Sequence, residues 1–444
     1  MAHILRTWGI VFAVLLLTGC AGTPTPTTTP APATKTPTPP TATPLPSPTA
    51  TATPTAVIAV QRPLLMAHYM PWYQTPNISG YWGWHWTMNH FDPAQKDAQG
   101  RPQIASHYMP LTGPYDSADP AVLEYQVLLM KLSGIDGVIV DWYGIEEFWD
   151  YGVLNRATGK LFEMIKNAGL QFAICYEDQT VKHMVDNKHL PMADVYTHGQ
   201  AVMRYLQDTW FGDVAYLKAD GRPVLLTFGP QYYKNATDWE KLFAGVETKP
   251  IFITLDKRLG TVATSSFPWP PMWASKDGVL TQAALESYLN SFYEKTAGDA
   301  YRVGGAFPGF HDIYKEAGVG EGYGYLDARD GETFRFTLDL ALRHNPHVIQ
   351  LITWNDYGEG TIIEPTEEFG YRYLEMVQAA RRTMAGEDET FTFIPEDLRL
   401  PLRLFTLRKA YAGDVAVNAR LDEAAAALLA GDVKRAAAIF ADYP

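Results

Sequence analysis

Cysteine is nearly absent from this chain: its 444 residues include two, Cys20 and Cys175. A disulfide framework is therefore excluded, and if Cys20 is modified no intrachain bridge can form, so packing must hold the fold. Long hydrophobic runs are lacking as well. The apolar stretch Trp8–Leu17 falls short of the roughly 20 residues that a spanning helix needs. Positive charge is scarce, with 36 Lys and Arg against 49 Asp and Glu and a formal net charge of -13. Such a chain repels phosphate backbones and anionic lipid, which argues against nucleic acid and for a neutral ligand. No Gly-rich phosphate loop follows the first apolar run, and no spacing of His, Asp and Glu singles out a metal site. Neither a cofactor nor a metal is expected.

Aromatic residues are what the sequence has in quantity: 12 Trp, 25 Tyr and 20 Phe. Their faces stack on the apolar faces of sugar rings, although they serve equally well as core. With 47% hydrophobic residues, the chain can bury one barrel-sized core with a small appendage to spare.

Composition divides the chain into four parts. Residues 1–20 carry Arg6, the apolar stretch and then Leu17-Thr18-Gly19-Cys20, which resembles a lipoprotein signal peptide with its lipobox. Cys20 is the expected lipidation site, so the protein is expected to be exported and held at the cell envelope by a lipid anchor alone. Residues 21–60 are almost entirely Thr, Pro and Ala, too poor in apolar groups to offset chain ordering. As polyproline II this spacer reaches on the order of 100 Å. Residues 61–390 alternate short apolar runs with amphipathic stretches of helical period, the pattern of repeated β-α units. Residues 391–444 read as a helical segment, with Leu421–Leu429 and Val433–Phe440 split by Gly431-Asp432.

Eight strands are expected: Leu64–Tyr69, Gly137–Trp142, Gln171–Tyr176, Pro223–Phe228, Ile251–Leu255, Pro271–Ala274, Val303–Phe307 and Val348–Thr353. Helical patterns lie between them, except that the link from the fifth to the sixth shows none. This rhythm predicts a (β/α)8 TIM barrel with a small C-terminal helical appendage, and such a barrel places its active site at the C-terminal ends of its strands.

The residues at those ends are polar and aromatic. Tyr69, Trp72 and Tyr73 follow the first strand, and its long loop adds Trp84, His85 and Trp86. Asp141, Trp142 and Tyr143 close the second strand, Glu177 and Asp178 the third, Tyr232 the fourth, and His311 and Asp312 the seventh. All are candidate substrate-binding residues, together with Trp354 and Asn355. The eighth strand runs into Trp354-Asn355-Asp356-Tyr357-Gly358-Glu359-Gly360-Thr361, where Asp356 and Glu359 are the candidate catalytic pair. Glycosidic hydrolysis needs such a pair, one carboxylic acid to protonate the departing oxygen and one carboxylate to assist attack. An Asp-x-x-Glu spacing also suits a helix cap or a loop tie, but its aromatic setting after the last strand favours chemistry.

The strand-eight run, followed by Ile363-Glu364-Pro365, resembles the signature of glycoside hydrolase families 99 and 71. Pro110–Pro120, Gly134–Tyr143 and His68–Tyr73 are similar to family 99 as well, so the likeness spans roughly Leu64–Ala385. The resemblance implies an endo-acting hydrolase of an α-linked mannan or glucan, with Glu359 on the general acid and Glu177 on a sugar-contacting carboxylate. Asp356 stands where family 99 has Glu. Asp is shorter by one bond, roughly 1.5 Å, which favours the wider carboxylate spacing, roughly 6.5–9.5 Å, of inverting enzymes. The rival class is a non-catalytic carbohydrate-binding lipoprotein on a degenerate barrel.

The lipobox carries its own test. Cys20→Ala is expected to leave the protein soluble or uncleaved, read by detergent partitioning beside the size shift of signal cleavage; cleaved variant and parent partitioning equally into detergent would remove the anchor.

Overall fold

The structure, a computed structural model, describes residues 62–384 and 391–444. The expected signal peptide, Cys20 and the Thr/Pro-rich spacer lie outside the described residues. Eight parallel strands carry the fold: β1 (Leu64–Tyr69), β2 (Gly137–Trp142), β3 (Gln171–Tyr176), β4 (Arg222–Thr227), β5 (Ile251–Leu255), β6 (Ser265–Phe267), β7 (Val303–Ala306) and β8 (Val348–Leu351). Their ladder runs β6-β5-β4-β3-β2-β1-β8-β7, all parallel, with Leu64 opposite Val348 and Asp141 opposite Cys175. These strands are buried almost throughout, as a parallel sheet covered by helices requires. The (β/α)8 barrel is thus the fold.

The ring closes between β6 and β7 by packing, with no ladder joining them among the described residues. The sequence explains this seam. Pro268, Pro270 and Pro271 follow β6 and have no amide hydrogen to donate. Across the gap a Cβ on Gly305 would lie 2.8 Å from Pro268 Cγ, so only glycine lets β7 approach the proline ring. The sixth strand expected at Pro271–Ala274 is corrected accordingly: the strand is Ser265–Phe267, and Met272–Ala274 is a single 3₁₀ turn.

Helices cover the barrel: α1 (Pro120–Ser133), α2 (Tyr151–Asn167), α3 (Val195–Leu206), α4 (Ala236–Phe243), α5 (Gln282–Thr296), α6 (Glu332–His344) and α7 (Arg372–Met384). The start of α1 shows how locally they are specified. Asp119 accepts from the Ala121 amide, Pro120 opens the first turn, and Gly134 ends the helix in the left-handed region. The C-terminal segment, expected to be helical, forms three helices: α8 (Leu400–Ala410), α9 (Val415–Leu429) and α10 (Val433–Phe440). Helix α8 packs on α1, where the Arg408 guanidinium grips both oxygens of Glu124 at 2.9 and 3.0 Å. Leu404, Leu421 and Phe440 join the barrel core directly. Among the described residues, no helix is long and apolar enough to cross a membrane.

Burial corrects the aromatic candidates. Trp142 and Trp86 are 0% exposed. Trp142 packs among Tyr176, Tyr205 and Trp210 and donates its indole N–H to Asn155 at 3.0 Å. Trp86 lies over Tyr73 and donates to the Tyr115 carbonyl at 2.7 Å. Both rings face core, not sugar. Trp142→Ala is expected to cost about 3–5 kcal/mol, measured by chemical denaturation, while substrate binding stays unchanged; weaker binding at full stability would return this ring to the substrate site.

Candidate active site

Four carboxylates converge at the C-terminal end of the barrel, and each is delivered by a strand end. Asp141 is in the last turn of β2, Glu177 directly follows β3, and Asp356 and Glu359 lie on the loop after β8. Asp141, Glu177 and Asp356 are 2%, 7% and 4% exposed, while Glu359 keeps partial contact with solvent. No ion pair links any of the four to Lys or Arg among the described residues. Burial without a counter-charge penalises the ionised form, and neighbouring carboxylates add to it at Asp141, Glu177 and Glu359.

The effects differ from group to group. Burial pushes Glu359 well above the usual carboxylate range, helped by the charges of Asp356, Asp312 and Glu177 and opposed by a bond from Tyr314. Burial also raises Asp356, to about 7, against the pull of the Glu359 and Gly358 amides. Glu177 rises to about 7, again through burial, with the Gln179 side chain opposing and the Asp178 and Asp356 charges adding. Asp141 is pushed well up by burial and then by Glu177, Asp356 and Glu359. The two catalytic candidates are tied to one another: Asp356 Oδ1 accepts from the Glu359 amide at 3.0 Å, and the Thr353 hydroxyl accepts from the Asp356 amide at 2.8 Å.

The loop that carries them is pinned from three sides. The amides of His311 and Ile313 donate to the carbonyls of Glu359 and Gly358 at 2.8 and 3.0 Å. Gly360 has φ +66°, and a Cβ there would meet the His311 carbonyl oxygen at 2.8 Å, so this turn is closed to any other residue. The Tyr73 hydroxyl donates to the Asn355 carbonyl at 2.9 Å and accepts from the Tyr357 amide at 3.1 Å.

Several expected substrate contacts line this mouth. Trp72 and His85 stack with centroids 4.1 Å apart, and Tyr143 lies 6.1 Å from Trp72. Burial pulls the His85 imidazole down to about 3, which keeps it neutral. His311 stacks on His107 at 3.6 Å. Other candidates are placed elsewhere. Tyr69 donates to Gln126 on α1, and Trp354 is buried in the core. Asn355 is spent on the amide and carbonyl of Met70, and Trp84 packs with Met88, Ala105 and Ile313 in a small separate cluster. Tyr232 stands edge-on to Tyr233 on the loop after β4. Asp178 accepts from the amides of Gln231, Tyr232 and Tyr233, and Asp312 from those of Tyr314, Tyr323 and Gly324. These two carboxylates tie loops. Beneath the mouth, His68, Asp141 and Cys175 bring one ligand-capable atom each within 4.8 Å of one another, all buried.

Relatives and structural neighbours agree with this architecture. The mouse glycoprotein endo-alpha-1,2-mannosidase is 24% identical over 332 residues, covering 68% of this chain and 67% of the relative. The zebrafish glycoprotein endo-alpha-1,2-mannosidase-like protein is 23% identical over 335 residues, covering 69% and 72%. The GH99 endo-alpha-mannosidase from Bacteroides thetaiotaomicron superposes with a TM-score of 0.55 at 18% identity, covering 72% of this chain and 98% of that structure. No family model matches. The chain is similar in sequence and in fold to GH99 glycoside hydrolases.

Two residues of the hydrolase site were not singled out from sequence. Tyr314 reaches Glu359 at 3.5 Å, and Glu359 is the leading charge acting on the hydroxyl of Tyr323. Both sit on the loop after β7, whose run of Gly, Tyr and acidic residues has no period to mark them.

The crowding has a measurable sign. Between its ordinary value of 4.5 and about 7, folded Glu177 keeps a proton that the unfolded chain has released. The group therefore costs stability as pH rises through that window, and the full cost is present above it. Glu177→Gln is expected to raise the melting temperature by several degrees at pH 8 and to leave it nearly unchanged at pH 4. A fall at pH 8 would contradict the crowding.

Proposed function

We propose that this protein is an endo-acting hydrolase of an α-linked mannose-containing glycan, with Glu359 as general acid and Asp356 as general base. The observation that carries the reading is the unequal treatment of two carboxylates on one loop. Burial and neighbouring negative charge push Glu359 well above the ordinary carboxylate range, while the backbone amides of Glu359 and Gly358 pull against the rise that burial imposes on Asp356. An acid and a base whose environments push them apart is the arrangement this chemistry uses.

In the reaction, Glu359 gives its proton to the glycosidic oxygen as the bond to the anomeric carbon breaks. Asp356 takes a proton from the water that attacks that carbon. The short side chain of Asp356, drawn back onto the Glu359 amide, leaves room for that water, and so inversion is the expected outcome. Trp72, His85 and Tyr143 supply stacking faces and a neutral imidazole for the sugar. The choice of mannose follows the names of the relatives, and an endo mode follows theirs too. A binding-only barrel has no use for four crowded carboxylates, whose mutual repulsion lowers stability. The proposal extends to location: an exported enzyme, tethered through Cys20 by a Thr/Pro-rich spacer, works on glycans outside the cytoplasm.

The test is release of reducing ends from a panel of α-mannans and α-glucans by the full chain. Glu359→Gln and Asp356→Asn are each expected to lose at least about a hundredfold in turnover. Proton NMR of the first product, before mutarotation, is expected to show the β-anomer; an α-anomer would rule out inversion. Near-normal turnover in both variants would remove the pair from the mechanism.

A further inference from the structure

Glu364 is a buried carboxylate for which the reaction above has no use. It is 1% exposed and lies five residues past Glu359, where the chain returns beneath the catalytic loop. Its carboxylate collects three donors. Gln126 Nε2 on α1 reaches Oε1 at 2.7 Å, and the hydroxyls of Tyr115 and Tyr357 reach Oε2 at 2.8 and 2.9 Å. Each donor is itself engaged further out. Gln126 accepts from Tyr69 at 2.7 Å, tying in the end of β1. The Tyr115 hydroxyl accepts from Asn355 Nδ2 at 3.0 Å, and Asn355 in turn clasps both backbone groups of Met70 at 2.8 and 3.0 Å. The Glu364 amide donates to the Trp354 carbonyl at 2.9 Å.

The residues so gathered are Asn355 and Tyr357, the immediate neighbours of Asp356 on either side. We propose that Glu364 is the positioning residue of this site: its carboxyl group fixes Asn355 and Tyr357, and through them the placement of Asp356 and of Glu359 behind it. The inference rests on the hydrolase reading for the meaning of that placement, while the network itself stands on its own geometry.

Charge matters because all three partners donate. An ionised carboxylate accepts every one of these bonds, whereas a protonated one must turn an O–H toward a donor. The titratable groups that face Glu364 are Tyr69, Tyr73, Tyr115, Tyr125 and Tyr357, all held neutral by burial, and none supplies a positive charge. Burial accordingly raises the Glu364 carboxyl to about 7, with the bonds from Gln126, Tyr115 and Tyr357 acting against it. A network that is fully satisfied is rigid, and one left partly satisfied is not.

Two variants of the full chain test this, Glu364→Gln, which keeps the shape and removes the charge, and Tyr357→Phe, which removes one donor atom. On the α-mannan that the parent cleaves, kcat is expected to fall about tenfold or more with KM within about twofold, because an ångström of misplacement away from the chemistry costs on the order of a hundredfold. Amide hydrogen exchange, which needs no substrate, is expected to quicken in peptides covering residues 353–364 and nowhere else in the barrel. A parent inactive on every glycan would defeat the hydrolase reading and leave the exchange result to decide the positioning role. Unchanged exchange and unchanged kcat in both variants would overturn it, as would quickening spread evenly over the barrel or a rise in KM alone, which are the marks of a general structural role.

Discussion

Like charges with no cation beside them are the constraint on which the upper end of this barrel depends. Asp141, Glu177, Asp356 and Glu359 come from three strand ends and meet where water is scarce. Their repulsion has to be absorbed somewhere. It is absorbed partly by protons, which is why burial holds all four carboxyls above their ordinary range, and partly by backbone amides such as that of Glu359. The remaining acidic residues of the rim act differently. Asp178 and Asp312 each take three amides and thereby stitch the loops that wall the site. The same residue type therefore stays crowded at the barrel mouth where amides are few and fastens loops where they are many.

That distinction marks the limit of what the sequence could reveal. Seven of the eight strands fall within a residue or two of their expected bounds, because runs such as Gly137-Val-Ile-Val-Asp-Trp142 are apolar, β-branched and flanked by helical period. Val348–Thr353 was placed correctly and ends two residues early, at Leu351, where the chain turns into the Thr353 loop. The sixth strand was not legible, since three residues followed by prolines carry no periodicity. Among the site candidates, position along the strand was readable but facing was not. Tyr69, Trp142 and Trp354 sit at strand ends as expected, and each turns into packing, because a shift of one residue moves a side chain to the other face. Tyr314 and Tyr323 were missed for a different reason: they come from an irregular loop whose fold is set by Asp312, and nothing local announces that tie.

The appended helices illustrate how tertiary contact completes a weak local signal. Helix α8 has no clear apolar face of its own, and its place is fixed by Arg408 and Lys409, which reach Glu124 and Asp119 on or beside α1. Through α1, and through Gln126 on it, the C-terminal segment is mechanically continuous with the floor of the catalytic loop. This is a physical reason to regard residues 391–444 as part of the enzyme's body.

The seam between β6 and β7 makes the sheet a rolled ribbon whose two margins pack together without a ladder. Margins of this kind invite strands from other molecules. Here one margin is three residues long and runs into Pro268, Pro270 and Pro271, and the other carries Gly304 and Gly305 with no side chains to build a pairing face. The features that keep the barrel from zipping shut also make each margin a poor template, so resistance to aggregation comes from the same few residues that leave the ring unladdered.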